Sequence, residues 1–126
     1  MSQIFIDKRL IICKSNLKDA EYGVFSSLFI PANTLIEVAR TLKLKNEHVF
    51  ITGNILTDYV FKLDDDHCLI AFGFGSLYNH NEDPSVSYKV TDGKIYYETL
   101  KDIFPGDELY VSYGKDWWNK RNIKPI

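Results

Sequence analysis

Cysteine is nearly missing from this chain. Among 126 residues there are two, Cys13 and Cys68, far apart and without a C-x-x-C spacing. That excludes a disulfide framework and a cysteine-built zinc module, and predicts packed thiols in a reducing, intracellular setting. Histidine is as sparse, at three. His80, Glu82 and Asp83 share one turn, where neighbours rarely converge on an ion, and His48 and His67 stand at no ligand spacing. No metal site is expected. Long apolar runs are missing too. The longest, Leu69 to Phe74, is broken by Gly73 and falls far short of the ~20 residues of a membrane helix. The opening MSQIFIDKRL has no secretory pattern, because Asp7, Lys8 and Arg9 interrupt its apolar stretch. Nor does either charge dominate: the net charge is −2. A mildly acidic balance argues against a duplex nucleic-acid footprint and is compatible with a basic peptide partner.

What remains is 45% hydrophobic and 25% charged, the composition of one folded domain spanning residues 1–126. Its period is mostly 2. Strands are expected in Gln3–Lys14, Tyr22–Leu28, from Thr34 to Leu42, in Thr57–Leu63, Cys68–Phe72 and Glu108–Tyr113. Tyr59, Phe61 and Leu63 should share one face. The clearest hairpin is Ser85–Leu100, turning at Thr91-Asp92-Gly93. Pro31-Ala32-Asn33 and Phe104-Pro105-Gly106 read as further turns, Asn46–Gly53 is ambiguous, and Lys115–Lys120 reads as a short helix. Frequent turns between short strands predict a mainly β domain.

Two segments do not look chosen for packing alone. AFGFGSLYNHNEDPSV, Ala71 to Val86, sets Asn79 and His80 beside an apolar run, where an unpaired polar group is costly. Taken alone, the pair reads as an Asx-type turn with a satisfied histidine. PGDELYVSYG, Pro105 to Gly114, ends an alternating strand at Tyr113, which alone reads as a core tyrosine. Together with Tyr22-Gly23-Val24-Phe25 upstream, these segments resemble the SET domain, the fold of most protein-lysine methyltransferases. The family's N-H-S or N-H-C segment reads Asn79-His80-Asn81 here, and its E-E-L-x-x-x-Y strand end reads Asp107 to Tyr113. Glu21 stands where the first glycine of G-x-G-[VL]-F belongs. The order holds from about Arg9 to Trp118. The resemblance is nearest to the minimal SET proteins of large DNA viruses, which also carry an aromatic pair after Y-G, here Trp117 and Trp118.

The resemblance implies a β-clip of small curved sheets in which the C-terminal segment threads beneath a preceding loop, pseudoknot fashion. It implies one SET domain without zinc-binding flanking modules, and S-adenosylmethionine as cofactor. Such an enzyme needs neither a metal nor a nucleophilic side chain. A neutral amine attacks the methyl of a sulfonium, so the site must help lysine, with a pKa near ~10.4, to lose its proton and must keep water out.

Residue by residue, the resemblance makes Tyr113 catalytic, its hydroxyl aimed at the reacting centre. It gives cofactor binding to Glu21, Tyr22, Gly23, Asn79, His80, Tyr113 and Trp118, with Trp118 over the adenine. It lines the substrate-lysine channel with Tyr22, Tyr59, Val111, Tyr113 and Trp117. Tandem tryptophan is also common as plain core closure, and Tyr59 fits a core face equally well. Val111 brings no hydroxyl to restrain the amine, so a channel admitting more than one methyl is expected. The function implied is a lysine methyltransferase acting on a basic protein tail, histone H3-like. The competing reading is an inactive SET module that binds a peptide or protein partner, suggested by the off-pattern Glu21 and Asn81. Asp64-Asp65-Asp66 is either a solvated turn or a docking surface for such a tail. Direct nucleic-acid and membrane binding are not expected. Monomer and homodimer both stay open, since a second copy could cover apolar surface. Action in a host nucleus follows if histones are the substrate.

Overall fold

The computed structural model describes residues 3–50 and 55–112. Its strands run β1 (Phe5–Ile6), β2 (Leu10–Lys14), β3 (Tyr22–Ser26), β4 (Leu35–Lys45), β5 (Val60–Lys62), β6 (His67–Ala71), β7 (Asn79–His80), β8 (Val86–Thr91), β9 (Lys94–Thr99) and β10 (Glu108–Val111). One short helix, α1 (Asn46–Val49), follows β4, and single 3-10 turns cover Ile55–Asp58 and Gly75–Leu77. The mainly β expectation holds.

Two sheets share the work. In the larger, the order is β5-β6-β4-β9-β8, with β1 also pairing β4; in the smaller it is β2-β3-β10-β7. Strand β4 serves both ends of the larger sheet. Its first half pairs β9 through Arg40, and Thr41 to Lys45 pair β6. The register with β9 slips between Leu35 and Glu37. A bulge of this kind re-aims side chains. Ile36, Glu37, Val38 and Ala39 are consecutively buried, where simple alternation would expose every second one.

The turns follow their sequences. Thr91 pairs Lys94 across Asp92-Gly93, both with positive φ (51° and 73°), as a two-residue primed hairpin turn requires. Gly106 closes Phe104-Pro105-Gly106 at φ 90°, and the turn is tied by the Asp107 amide donating to the Phe104 carbonyl at 3.0 Å.

The core lies between the sheets. Val24, Ile30, Ile36, Tyr78, Val86, Ile95, Tyr97, Leu109 and Val111 are all buried in one cluster. Each such side chain contributes roughly 1.5–3 kcal/mol when removed from water. A smaller cluster gathers Val49, Val60 and Cys68.

Three expectations need correction. Tyr59, Phe61 and Leu63 do not share a buried face: Phe61 is buried in the main cluster, whereas Tyr59 and Leu63 are both 39% exposed. Val60 is buried as well, in the smaller cluster, so β5 inserts adjacent residues into two cores and alternation fails there. Cys68 is buried but Cys13 is exposed, because β2 turns it outward. Asn79 and His80 form a strand and not an Asx turn, pairing parallel with Tyr110 and Val111. The strand expected to reach Tyr113 is described to Val111. Tyr113, the Lys115–Lys120 helix and the threading of the C-terminal segment lie outside the described residues.

Gly75 marks the tightest packing. A Cβ there would stand 2.6 Å from the Ala71 Cβ and 2.8 Å from the Tyr97 hydroxyl. Overpacking of this kind costs ~1–3 kcal/mol. Gly75→Ala should lower the urea midpoint accordingly, with an unchanged m-value. An undiminished midpoint contradicts the packing described.

Candidate active site

The second sheet builds the site. Its strands β3, β10 and β7 lie side by side, so the segments carrying Gly23, Glu108 and Asn79 meet although they are far apart in sequence. At the junction sits Glu108, 6% exposed. Its Oε1 accepts from the Asn16 amide at 2.8 Å and the Tyr110 hydroxyl at 3.1 Å. Its Oε2 accepts from the Ser15 hydroxyl at 2.7 Å and from the Asn79 amide group at 3.0 Å. A buried carboxylate must be paired in this manner to be tolerated.

Asn79 completes the knot. Its Nδ2 donates to the Tyr22 carbonyl at 2.9 Å and the Ser15 hydroxyl at 3.1 Å, besides Glu108. The side chain thus bridges β7, β3 and the segment after β2. Gly23 is required where these groups crowd together: a Cβ there would come within 2.2 Å of Glu108 Oε2 and 3.0 Å of Asn79 Nδ2. The second glycine of the motif is therefore demanded by close approach. Glu21, in the first glycine's place, has none of the positive φ seen at Asn33 and Asp92, and its carbonyl accepts from the Ser15 amide at 3.2 Å. It is exposed and unstrained.

His80 is half-buried, and burial lowers its pKa below the ordinary 6.5, so the ring is neutral at pH 7. Burial, with help from the Glu108 charge, pushes the Tyr110 hydroxyl up to about 12, so it remains a proton donor. Asn81 is the residue that makes the Asx turn: its Oδ1 accepts from the Asp83 amide at 2.9 Å, and its own amide donates to the Val111 carbonyl at 3.0 Å. Both off-pattern residues, Glu21 and Asn81, therefore fit without distortion.

The predicted residues divide into those brought together and those not. Tyr22, Gly23 and Asn79 converge, and His80 follows Asn79 in β7. Tyr22 presents a ring that is 59% exposed beside the knot. Val111 lies opposite His80 in the β7–β10 pairing, with its side chain fully buried in the core. Tyr59 precedes β5, at the edge of the other sheet. Tyr113, Trp117 and Trp118 lie outside the described residues. Asp64 of the acidic run uses its Oδ1 on the Asp66 and His67 amides and the His67 ring, so part of that charge serves the turn itself. Sequence reasoning gave no role to Ser15, Asn16, Glu108 or Tyr110. The signal available was Glu108 itself, an acid between Asp107 and an apolar strand.

The comparisons agree with this geometry. The family model described as SET domain matches residues 21–114. A Schizosaccharomyces pombe histone-lysine N-methyltransferase, H3 lysine-37 specific, is 34% identical over 100 residues, covering 76% of this chain and 68% of the relative. A crystal structure of a Plasmodium falciparum protein assigned as a histone methyltransferase superposes with a TM-score of 0.71 at 30% identity, covering 90% of this chain and 99% of that one. Polycomb Repressive Complex 2 of Chaetomium thermophilum matches with a TM-score of 0.74 at 20% identity over 92% of this chain and 17% of that one, a likeness of fold alone. The chain belongs to the SET domain family. Within it, the chain is a protein-lysine methyltransferase related to the histone-lysine enzymes.

The knot predicts a graded response at Asn79. Asn79→Ala leaves Glu108 short of a donor and should cost ~1–3 kcal/mol in urea unfolding. Asn79→Asp should cost more at pH 7, since it faces one carboxylate with another 3.0 Å away. That pair holds a raised pKa in the folded state, so the extra loss should disappear as pH falls and a proton is bound. An Asp no worse than Ala at pH 7 would contradict the arrangement.

Proposed function

We propose that this chain transfers methyl groups from S-adenosylmethionine to lysine in a histone tail, H3-like. The observation that carries the reading is the Gly23–Asn79–Glu108 knot, a buried carboxylate with the exposed Tyr22 beside it and His80 next along β7. This donor set fits a cationic ligand with amino-acid and aromatic parts: amide and carbonyl groups, an uncharged imidazole and negative potential, with no fixed positive charge among the converging side chains. The H3 lysine-37 specificity of the S. pombe relative supports histone H3 as the substrate class.

On this reading Glu21, Tyr22, Gly23, Asn79, His80, Tyr113 and Trp118 hold the cofactor, which supplies an electrophilic methyl. Tyr22, Tyr59, Val111, Tyr113 and Trp117 line the lysine channel. The chain's own work is to bind, orient and dry the site. The aromatic walls exclude water and align the amine. Tyr113 is assigned as the catalytic residue on the family resemblance, its hydroxyl serving the reacting centre. Val111 offers no hydrogen bond to the amine and permits more than one methyl. Residues 21–114 work as the SET unit, and its place of action is the nucleus where histones are the substrate. Kinship with the minimal viral SET proteins rests on the motifs from Tyr22 to Trp118.

Incubation with labelled S-adenosylmethionine and core histones, read by mass spectrometry, tests this. Wild type should methylate H3, beyond the monomethyl stage. Tyr113→Phe keeps the ring and removes the hydroxyl, so kcat should fall ~10²-fold or more with little change in cofactor affinity. Absent transfer by wild type, near-normal turnover in Tyr113→Phe, or a product held at monomethyl would each contradict the corresponding part.

A further inference from the structure

A second buried acid stands behind the site. The bulge at the start of β4 turns Glu37 inward, and it is fully buried. Its Oε1 accepts from the Tyr78 hydroxyl at 2.8 Å, and its Oε2 from the Phe74 amide at 2.9 Å, with the Gly75 amide also directed at the carboxylate. These donors bracket the segment that leads into β7. Tyr78 is the residue immediately before Asn79. The carboxylate therefore grips that segment at both its beginning and its end.

The surroundings are shaped to receive it. Gly73 adopts φ +68°, and a Cβ there would lie 2.7 Å from Glu37 Oε2. The Tyr78 ring stacks on Tyr97 at 4.7 Å, and the Tyr97 hydroxyl donates to the Gly75 carbonyl at 2.9 Å. A largely apolar cavity of about 250 Å³, lined by Ile4, Phe5, Ile6 and Phe72 with Arg40 at its rim, lies against Glu37.

We propose that Glu37 is a positioning residue for methyl transfer: by clamping residues 73–78 it fixes where Asn79 and His80 stand. The proposal rests on the cofactor reading above. Glu37 touches no reacting atom and acts through Tyr78 and the turn.

The clamp is strongest with the carboxylate ionised, since both oxygens are then acceptors. Protonation gives one oxygen a hydrogen that faces the Tyr78 hydroxyl, which must rotate and lose its present acceptor. Burial raises Glu37 from its ordinary 4.5 to about 7, against the Tyr78, Phe74 and Gly75 hydrogen bonds. The other titratable or charged groups around it are Tyr78, itself pushed up by burial, Tyr97 from β9, Arg40 on the cavity rim, and Asp7 beyond β1, which is committed to Arg9 at 2.8 Å. Because the folded state holds the proton more tightly, Glu37 favours folding below pH 4.5, and that contribution is lost as pH rises through about 7. Over the same range the clamp tightens. Stability and cofactor affinity should thus move in opposite directions with pH, whereas a residue with a merely structural role would move them together.

The test compares wild type, Glu37→Gln and Tyr78→Phe by calorimetry with S-adenosylmethionine between pH 6 and 8, alongside amide hydrogen exchange. Gln keeps an oxygen for the Phe74 and Gly75 amides and loses the charge; Phe keeps the stacked ring and loses the hydroxyl. Both variants should stay folded, exchange faster at residues 74–80, and bind the cofactor ~10-fold more weakly at pH 8. Wild-type affinity should fall towards pH 6, with Glu37→Gln flat by comparison. Folded variants with wild-type affinity, pH slope and exchange overturn the proposal. If wild type itself does not bind, the cofactor reading fails and the methyl-transfer role with it, while faster exchange at 74–80 still identifies the clamp.

Discussion

The buried Glu108 carboxylate is the constraint around which this molecule is arranged. An anion removed from water is tolerated only with donors in place, and the fold collects them from distant parts of the chain: Ser15, Asn16, Asn79 and Tyr110. Collecting them fixes β10 between β3 and β7. It also dictates glycine at position 23, where any side chain would collide with the carboxylate. The same convergence ties the Tyr22 carbonyl to Asn79 and leaves the Tyr22 side chain exposed beside the carboxylate. The stabilising network and the candidate cofactor site are thus one structure, and changes that damage one damage the other.

Glu37 repeats this logic one layer behind. Its carboxylate shapes the approach to β7, as Glu108 shapes β7 itself. The two acids differ in surroundings. Glu108 has three side-chain donors and one backbone amide, whereas Tyr78 is the side-chain donor to Glu37 beside the backbone amides. Glu37 also lies against a largely apolar cavity, and its pKa is driven up to about 7 by burial, so its charge varies near neutrality.

Much of this was legible in the sequence, for identifiable reasons. The Asp92-Gly93 and Pro105-Gly106 turns were readable because backbone chemistry is local. The ordered motifs around Gly23, Asn79 and Tyr113 pointed to the SET family, and the match over residues 21–114 agrees. Alternation failed at β4 and β5. Strand β4 is covered on both faces, burying Ile36 to Ala39 in succession, and Val60 and Phe61 enter two separate clusters. Neither event has a local signature. The roles of Ser15, Glu108 and Glu37 stayed hidden because each is defined by partners far away in sequence. Position 21 shows the converse. The departure from the motif suggested an inactive module, yet the backbone there adopts no positive φ.

The central claim is that Glu108 and Asn79 act as one unit in both folding and cofactor binding. A double-mutant cycle with Glu108→Gln and Asn79→Ala measures this directly, using urea unfolding and S-adenosylmethionine affinity on the same four proteins. The account predicts coupling of ~1–3 kcal/mol in stability, with each single variant losing nearly as much cofactor affinity as the double. Additive effects in both measurements would contradict it.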